Sequence, residues 1–358
     1  MADPYTKLLN LLSTFDDPGK FGSFKVFKTS YKSSNDDLFR VDADVLIPWA
    51  LLSSQGKSKC PVMVRIHGGF LVTGSSSYPP WFANWTLEYA ISKRAIIVAP
   101  NYRLLPEANG KDMMEDMDDF WRWLRSPLFT GIINNASSDC LSPDINRILL
   151  VGESAGGYLA MHLALSYPSE ICAIVGAYPI LDVESRFYTE AYSKPIIGVP
   201  NIPVEVLEAH LSNMRTTHSP TVVTAADPPD RLKLAFSVFQ NGRFVELLGA
   251  DNVDLFPMKR VKALAAAGRL RLPPTFIFHG RQDSAVPCEG SQRFVDLVRE
   301  KLPDVSINFH VLDGDHGVDF EATLATDWLH QGLSMITSAW DGSMKADPNL
   351  SMKADSNL

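Results

Sequence analysis

A serine, an aspartate and a histidine in this sequence have the residue types and the chain order that nucleophilic catalysis needs. Ser154 lies at the centre of Gly-Glu-Ser-Ala-Gly, a G-x-S-x-G pattern over 152–156. An apolar run over 148–151 precedes it, and a run over 155–167 with helical character follows it. The motif exposes a serine Oγ only when a strand leads into it and a helix leads out. The flanking residues therefore favour a nucleophile over a small residue in an ordinary turn.

A serine hydroxyl is a weak nucleophile unless a base accepts its proton and a third group orients that base. Asp283 follows the predicted strand 275–278, and His316 follows the predicted strand 307–312 within a Gly-flanked loop. In an α/β sheet, ligands bind at the carboxyl ends of the strands, and all three residues are expected there. The sequence predicts Ser154 as nucleophile, Asp283 as orienting acid and His316 as base.

Competing residues fit these roles less well. Three other histidines fall inside predicted strands or helices rather than in loops: His162, His310 and His330. The alternative acids are Asp182, Asp313 and Asp315. The last two adjoin His316 in sequence, which usually prevents the side-on contact with Nδ1 that an orienting carboxylate makes. Asp283 is the preferred acid.

A glycine pair upstream of the serine predicts an oxyanion hole. The apolar run 61–66 leads directly into His-Gly-Gly-Phe at 67–70. Glycines at such a position let backbone N–H groups approach a developing alkoxide, and the residue after the nucleophile supplies another N–H. Gly68, Gly69 and Ala155 are therefore the expected donors, against the alternative of an ordinary Gly-Gly turn.

The elements expected around these residues alternate between strands and helices. The predicted strands are 61–66, 95–99, 148–151, 173–177, 275–278 and 307–312, after a hairpin over 25–48. The predicted helices between and after them are 81–93, 112–125, 155–167, 291–301 and 319–337. Short apolar strands alternating with helices are typical of a mostly parallel sheet with helices on both faces. The fold class is α/β.

One interval interrupts the alternation. About 90 residues separate the strand at 173–177 from that at 275–278, too many for a simple connection, and their apolar residues recur at helical spacing over 204–214, 229–240 and 258–267. The expected organisation is an N-terminal segment that joins the cap (1–24), the first part of the core (25–182), a helical cap insertion (183–272), the second part of the core (273–338) and a disordered tail with a tandem octapeptide repeat (339–358).

Composition narrows the class of protein. The chain has 358 residues, of which 46% are hydrophobic, and a net charge of −8, which argues against a nucleic-acid-binding protein. No run has the ~18 apolar residues of a membrane span, and the N-terminus lacks the pattern of a secretory signal. Four cysteines without paired spacing (Cys60, Cys140, Cys172 and Cys288) are typical of reduced thiols. A cytoplasmic protein is expected.

Three motifs in order resemble the hormone-sensitive-lipase-like branch of the α/β-hydrolases: HGGF at 67–70, NYRLLPE at 101–107 and GESAGG at 152–157. The resemblance implies an eight-stranded α/β-hydrolase sheet, a helical cap and esterase or lipase-type chemistry. It assigns the same roles to Ser154, His316 and the oxyanion donors. Phe70 replaces the third glycine of the family's HGGG and is expected to wall the substrate pocket.

The acid loop departs from the family pattern. HGRQDSAVP at 279–287 looks more like the loop of peptidase-like and dienelactone-hydrolase-like relatives, although Asp283 still matches the position of the acid. The predicted function is therefore a serine hydrolase that cleaves a small-molecule carboxylic ester without a metal or organic cofactor.

Four alternatives stay open at this point. They are an acyltransferase, a thioester or C–C-bond hydrolase of a biosynthetic intermediate, a peptidase, and a non-catalytic receptor. A homodimer paired through the sheet edge also stays open.

Overall fold

A single sheet carries the candidate residues at the ends of its strands. The computed structural model describes residues 2–34, 39–54, 56–216 and 222–342. The strands of this described part are β1 (Phe24–Ser33), β2 (Arg40–Pro48), β3 (Ser58–Ile66), β4 (Ile96–Pro100), β5 (Leu141–Glu153), β6 (Ala173–Ala177), β7 (Thr275–Gly280) and β8 (Ile307–Leu312). Their order is β1-β2-β4-β3-β5-β6-β7-β8. β2 is antiparallel to β1 and β4, and all the other pairs are parallel.

Helices cover both faces of this sheet. They are α1 (Pro4–Thr14), α2 (Trp49–Leu52), α3 (Asn84–Ser92), α4 (Gly110–Leu124), α5 (Pro127–Ala136), α6 (Ala155–Ser166), α7 (Arg186–Thr189), α8 (Glu205–Thr216), α9 (Leu232–Gln240), α10 (Phe244–Leu248), α11 (Pro257–Ala266), α12 (Cys288–Lys301) and α13 (Asp327–Trp340). α3 and α13 pack on one face, while α4, α6 and α12 pack on the other. The expected fold class, an eight-stranded and mostly parallel α/β-hydrolase sheet, is confirmed.

The central strand β5 shows why the sequence folds this way. Successive side chains of a strand point to opposite faces. Ile148 and Leu150 accordingly belong to one core, and Leu149 and Val151 to the other. A continuous apolar run is stable only where helices cover both faces, as they do here.

In the described part of the interval between β6 and β7 there are five helices, α7 to α11, and we call residues 183–272 the cap segment. Its predicted helices correspond to α8, α9 and α11. α9 packs into the same hydrophobic core as α6. Within the described ranges, no helix combines the length and the hydrophobicity needed to cross a bilayer.

Some sequence-based boundaries are wrong. The helix expected at 319–337 begins only at Asp327, and residues 319–326 fold mainly as turns. The reason is that Asp319 is fully buried, and its carboxylate accepts hydrogen bonds from Trp85 and Tyr178. α5 was not predicted. The expected tail also begins too early: α13 continues to Trp340, whose side chain is buried. The rest of the tail, 343–358, lies outside the described residues.

Candidate active site

Ser154 occupies a sharp turn between β5 and α6. Its backbone has φ 54° and ψ −117°, a conformation that costs a residue with a side chain roughly 1–3 kcal/mol and persists only where the surroundings enforce it. Its N–H donates to the carbonyl of Ala177 at 2.8 Å. A Cβ atom on Gly156 would lie 2.0 Å from the carbonyl oxygen of Ile66, and one on Gly152 would lie 2.5 Å from that of Gly156. The glycines of the motif are therefore required for packing.

Asp283 and His316 meet although 33 residues separate them. The Nδ1 atom of His316 lies 2.8 Å from Oδ2 of Asp283. Because a carboxylate only accepts hydrogen bonds, Nδ1 carries the hydrogen, and Nε2 of the neutral ring is left as the acceptor. The other oxygen of Asp283 accepts from the N–H groups of Ala285 and Val286 at 2.9 and 2.7 Å. The buried carboxylate is thus fixed in position by the backbone of its own loop.

These contacts shift both ionisation equilibria. Burial alone would raise the pKa of Asp283, but the adjacent His316 and His279 imidazoles outweigh it and lower that pKa. Burial alone would lower the pKa of His316, but the charge of Asp283 and its hydrogen bond raise it. An opposite charge in hydrogen-bond contact favours the ionised form of each group. Asp283 is therefore held as a carboxylate that makes His316 more basic.

The alternative acids are engaged elsewhere. Asp182 forms an ion pair with Arg293 on the surface. The exposed carboxylate of Asp313 pairs with Arg281 at 3.2 Å. Asp315 accepts hydrogen bonds from Ser284 and from the backbone N–H of His316, not from its ring. The structure thus brings the ring of His316 into hydrogen-bond contact with Asp283 and with none of the three alternatives.

A second histidine, His279, also contacts the acid, and sequence reasoning missed it. Its ring is fully buried, and Nε2 lies 2.7 Å from the carbonyl of Val286 and 3.2 Å from Oδ2 of Asp283. Nδ1 lies 3.0 Å from the hydroxyl of Ser291. Nε2 therefore carries a hydrogen directed at two acceptors, which holds the acid loop to the end of β7. The available signal was the His-Gly pair that ends this strand, four residues before the aspartate.

Tyr178 holds the base from another side. Its ring packs edge-on against the ring of His316, with centroids 4.4 Å apart. Its hydroxyl donates to Asp319 at 2.8 Å, and the Nε1 of Trp85 donates to the other oxygen of that carboxylate at 2.8 Å. Burial raises the pKa of Asp319. No sequence spacing relates these residues, because they converge from three different elements.

The oxyanion loop follows β3. A Cβ atom on Gly69 would lie 1.9 Å from the carbonyl oxygen of Thr73, and one on Gly68 would lie 3.2 Å from the Cβ of Ser154. A side chain at position 69 would therefore clash with the backbone of the loop itself, and one at position 68 would crowd Ser154. Within the described part of the chain, the backbone N–H groups of Gly68, Gly69 and Ala155 donate to no protein acceptor. These N–H groups are available to a ligand.

The NYRLLPE segment supports this loop. The hydroxyl of Tyr102 donates to the carbonyl of His67 at 2.8 Å, and the two rings stack with centroids 4.4 Å apart. Burial lowers the pKa of His67 to about 3, so its ring is neutral. The expected supporting role of this segment thus has a structural basis.

A largely apolar cavity joins these parts. The empty volume of this cavity, which includes open solvent at its mouth, is about 890 Å³. Ser154, His316, Gly68, Gly69 and Phe70 line it. The remaining walls come from α1, from the cap segment and from the loops around the sheet edge: Leu8, Leu11, Leu12, Phe15, Trp81, Glu153, Tyr178, Ile197, Leu232, Phe236 and Phe320. The expected position of Phe70 as a pocket wall agrees with this lining.

Comparisons with known proteins agree with this architecture. A family model described as an alpha/beta hydrolase fold matches residues 63–237. The chain is 34% identical over 329 residues to a protein named probable carboxylesterase M8 from a Phoma species, across 91% of this chain and 100% of that protein. A structure of fungal esterases from Rhizomucor miehei matches with a TM-score of 0.58 and 17% identity, across 95% of this chain and 92% of that one. The last likeness concerns the fold alone.

A further relative is a much longer protein. The chain is 27% identical over 317 residues to the non-reducing polyketide synthase prhL of Penicillium brasilianum, across 79% of this chain and only 12% of the synthase. The family model and the carboxylesterase relative together define the class: the chain belongs to the hormone-sensitive-lipase-like α/β-hydrolases. The expected enzyme class, a carboxylic ester hydrolase, is confirmed.

Proposed function

We propose that the protein hydrolyses small-molecule carboxylic esters through an acyl-enzyme intermediate on Ser154. The observation that carries this proposal is the 2.8 Å contact of the buried Asp283 with His316, which lines the same cavity as Ser154. A serine in a strand-to-helix turn, a base and an orienting carboxylate are the three groups that acyl transfer needs.

The mechanism follows from these positions. His316 accepts the proton of Ser154 through Nε2 as Oγ attacks the ester carbonyl carbon. The N–H groups of Gly68, Gly69 and Ala155 stabilise the negative charge on the carbonyl oxygen. His316 then protonates the leaving alcohol, the C–O bond breaks, and water discharges the acyl group by the same route. These steps use side chains and water and need no cofactor.

Labelling with a fluorophosphonate tests the nucleophile directly. We expect the wild-type protein to be labelled and Ser154→Ala not to be, and we expect the variant to lose turnover of p-nitrophenyl acetate by more than ~10³-fold. Ser166→Ala is the matched control, since this serine ends the same helix and does not line the cavity. Equal labelling of Ser154→Ala, or no labelling of the folded wild type, would reject the proposal and favour a binding protein.

The second candidate function is transfer of the acyl group to an acceptor other than water, or cleavage of a thioester or C–C bond. The match to a segment of a polyketide synthase favours it. Labelling without ester turnover, or a transesterified product when an alcohol is added, would support it over simple hydrolysis. A cytoplasmic location and a homodimer stay predictions from the sequence.

A further inference from the structure

Helix α1 runs along the cavity and separates two ends that differ. Tyr5 near the start of this helix contacts Phe236, and Phe15 just after its end contacts Phe320, about 15 Å away along the helix axis. The argument rests on the proposed function, because the reaction itself orients an ester. The carbonyl oxygen must lie at the N–H groups of the oxyanion loop, and the leaving oxygen must lie within reach of His316. The alcohol group, which carries the leaving oxygen, therefore extends along the loop that carries His316, and the acyl group extends towards the other end of the cavity, which Phe70 and Phe236 line.

The acyl end is closed by three aromatic rings. Phe70 directly follows the oxyanion glycines, and its backbone has φ 62° where the family signature has a glycine. Its ring contacts those of Phe236 and Phe239 on α9, with centroids 5.7 and 4.7 Å away. All three side chains are buried. The ring of Phe70 cannot swing aside unless α9 moves, because packed interiors resist such displacement.

The alcohol end is open. Phe320 follows His316 by four residues and contacts the ring of Phe15, just after α1, with centroids 5.6 Å apart. A Cβ atom on Gly317 would lie 2.7 Å from the Phe320 ring, so this ring packs directly on the loop that carries the base. Both rings are only half-buried, and the neighbouring Leu11 is 50% exposed. This end therefore offers apolar contact without a closing wall.

The cavity also lacks a free charge for a charged substrate. Glu153 is its one carboxylate-bearing lining residue within the described chain, and Arg65 neutralises it through a buried ion pair, with Nε 3.0 Å from Oε1. Transferring a charged group from water into such surroundings costs several kcal/mol unless it is paired. An uncharged ester is therefore favoured.

We propose that the protein prefers uncharged esters of a short acyl group on a bulky apolar alcohol. Phe70, with Phe236 behind it, limits the length of the acyl group. Phe320 and Phe15 bind the alcohol by apolar contact. The substrate class is thus an acetate-like ester of a large hydrophobic alcohol, and Phe70 and Phe320 determine specificity at opposite ends.

Two substrate series separate the two ends. The acyl series is p-nitrophenyl acetate, butyrate and octanoate, and the alcohol series is methyl, benzyl and 2-naphthylmethyl acetate, which are all esters of alkyl alcohols. We expect wild-type kcat/KM to fall along the first series and to rise along the second. Phe70→Ala should raise the octanoate-to-acetate ratio by ~10-fold or more, which is about 1.4 kcal/mol, because the ring that blocks long acyl chains is gone, and it should leave the alcohol ranking unchanged. Phe320→Ala should lower the naphthylmethyl-to-methyl ratio and leave the acyl ranking unchanged.

A variant from the cap side guards against misfolding. Phe236→Ala should open the same end as Phe70→Ala and raise the octanoate-to-acetate ratio in the same direction. Each result is a ratio of two substrates measured on one sample, so a smaller folded fraction does not change it. A wild type that prefers octanoate, or a Phe70→Ala variant that alters only the alcohol ranking, would overturn the inference while leaving the serine hydrolase in place. Absence of both labelling and turnover in the wild type would instead reject the proposed function, and this inference with it.

Discussion

At the scale of single residues, the proposed mechanism makes activity depend on pH through the pair of Asp283 and His316. In that mechanism His316 acts as a base only when neutral, and Asp283 raises its pKa above the ordinary 6.5. We therefore expect kcat/KM for p-nitrophenyl acetate to increase with pH along a limb whose midpoint lies above 6.5. Asp283→Asn removes the carboxylate, so the midpoint should move to lower pH while the plateau falls by about 10³–10⁴-fold.

The exposed Asp313 provides the control for this measurement. Asp313→Asn changes a carboxylate three residues from His316 that pairs with Arg281 and does not contact the imidazole. Its profile should coincide with that of the wild type. A wild-type midpoint at or below 6.5, or an unchanged midpoint in Asp283→Asn, would contradict the role given to the acid.

Some residues of the candidate site can be predicted from the sequence, and others cannot. Ser154, Asp283 and His316 could be predicted because each follows a strand, and strand ends converge at one edge of a parallel sheet. His279 and Tyr178 could not be predicted in the same way. Their roles depend on which side chains touch in three dimensions, and neither the spacing nor the residue type encodes those contacts.

At the scale of secondary-structure elements, Arg231 connects the cap segment to the core. It precedes α9, and its guanidinium donates to both oxygens of Glu107 at 2.9 and 2.6 Å and to the carbonyl of Val72 at 2.8 Å. Burial alone would raise the pKa of Glu107, but its hydrogen bonds to His210 and Arg231 lower it to about 2. The glutamate that ends the NYRLLPE motif thus links the oxyanion loop, the core and α9.

Removing only the arginine should destabilise the folded protein. Arg231→Met leaves Glu107 buried without its cation, and we expect the free energy of unfolding to fall by about 3–5 kcal/mol. Arg231→Met combined with Glu107→Gln should recover part of this loss. A urea-denaturation cycle with both single variants and the double variant measures the coupling. Strictly additive effects would show that the ion pair does not hold the cap segment to the core.

The boundary of one helix could not be predicted from the sequence for a different reason. The strands and most helices follow from apolar periodicity, but the start of α13 does not. Residues 319–326 contain apolar side chains at a spacing compatible with a helix, yet burial of the Asp319 carboxylate against Trp85 and Tyr178 favours turns. Tertiary contacts of one polar side chain thus override the local pattern.

At the scale of the whole molecule, two buried histidines make stability depend on pH. Burial lowers the pKa of His67 and of His162 to about 3 in the folded protein, whereas both titrate near 6.5 when exposed. Below pH 6.5 the unfolded chain binds two protons that the folded protein does not bind, so stability falls as the pH falls. His316, whose pKa is raised, takes up its proton at higher pH in the folded protein than in the unfolded chain, so it offsets part of this loss as the pH falls from 7 towards 6.

Between pH 7 and pH 5 we expect the free energy of unfolding to fall by about 2 kcal/mol for each buried histidine, or by about 4 kcal/mol for the two. Urea denaturation at the two pH values measures it. His162→Gln should reduce the difference between the two pH values by about half, whereas His330→Gln, on the exposed face of α13, should leave it unchanged. Equal stability of the wild type at both pH values would mean that the buried rings are protonated in the folded state. The His67 ring would then carry a charge against the oxyanion loop, and acidification should reduce activity through protonation of this ring while stability stays unchanged.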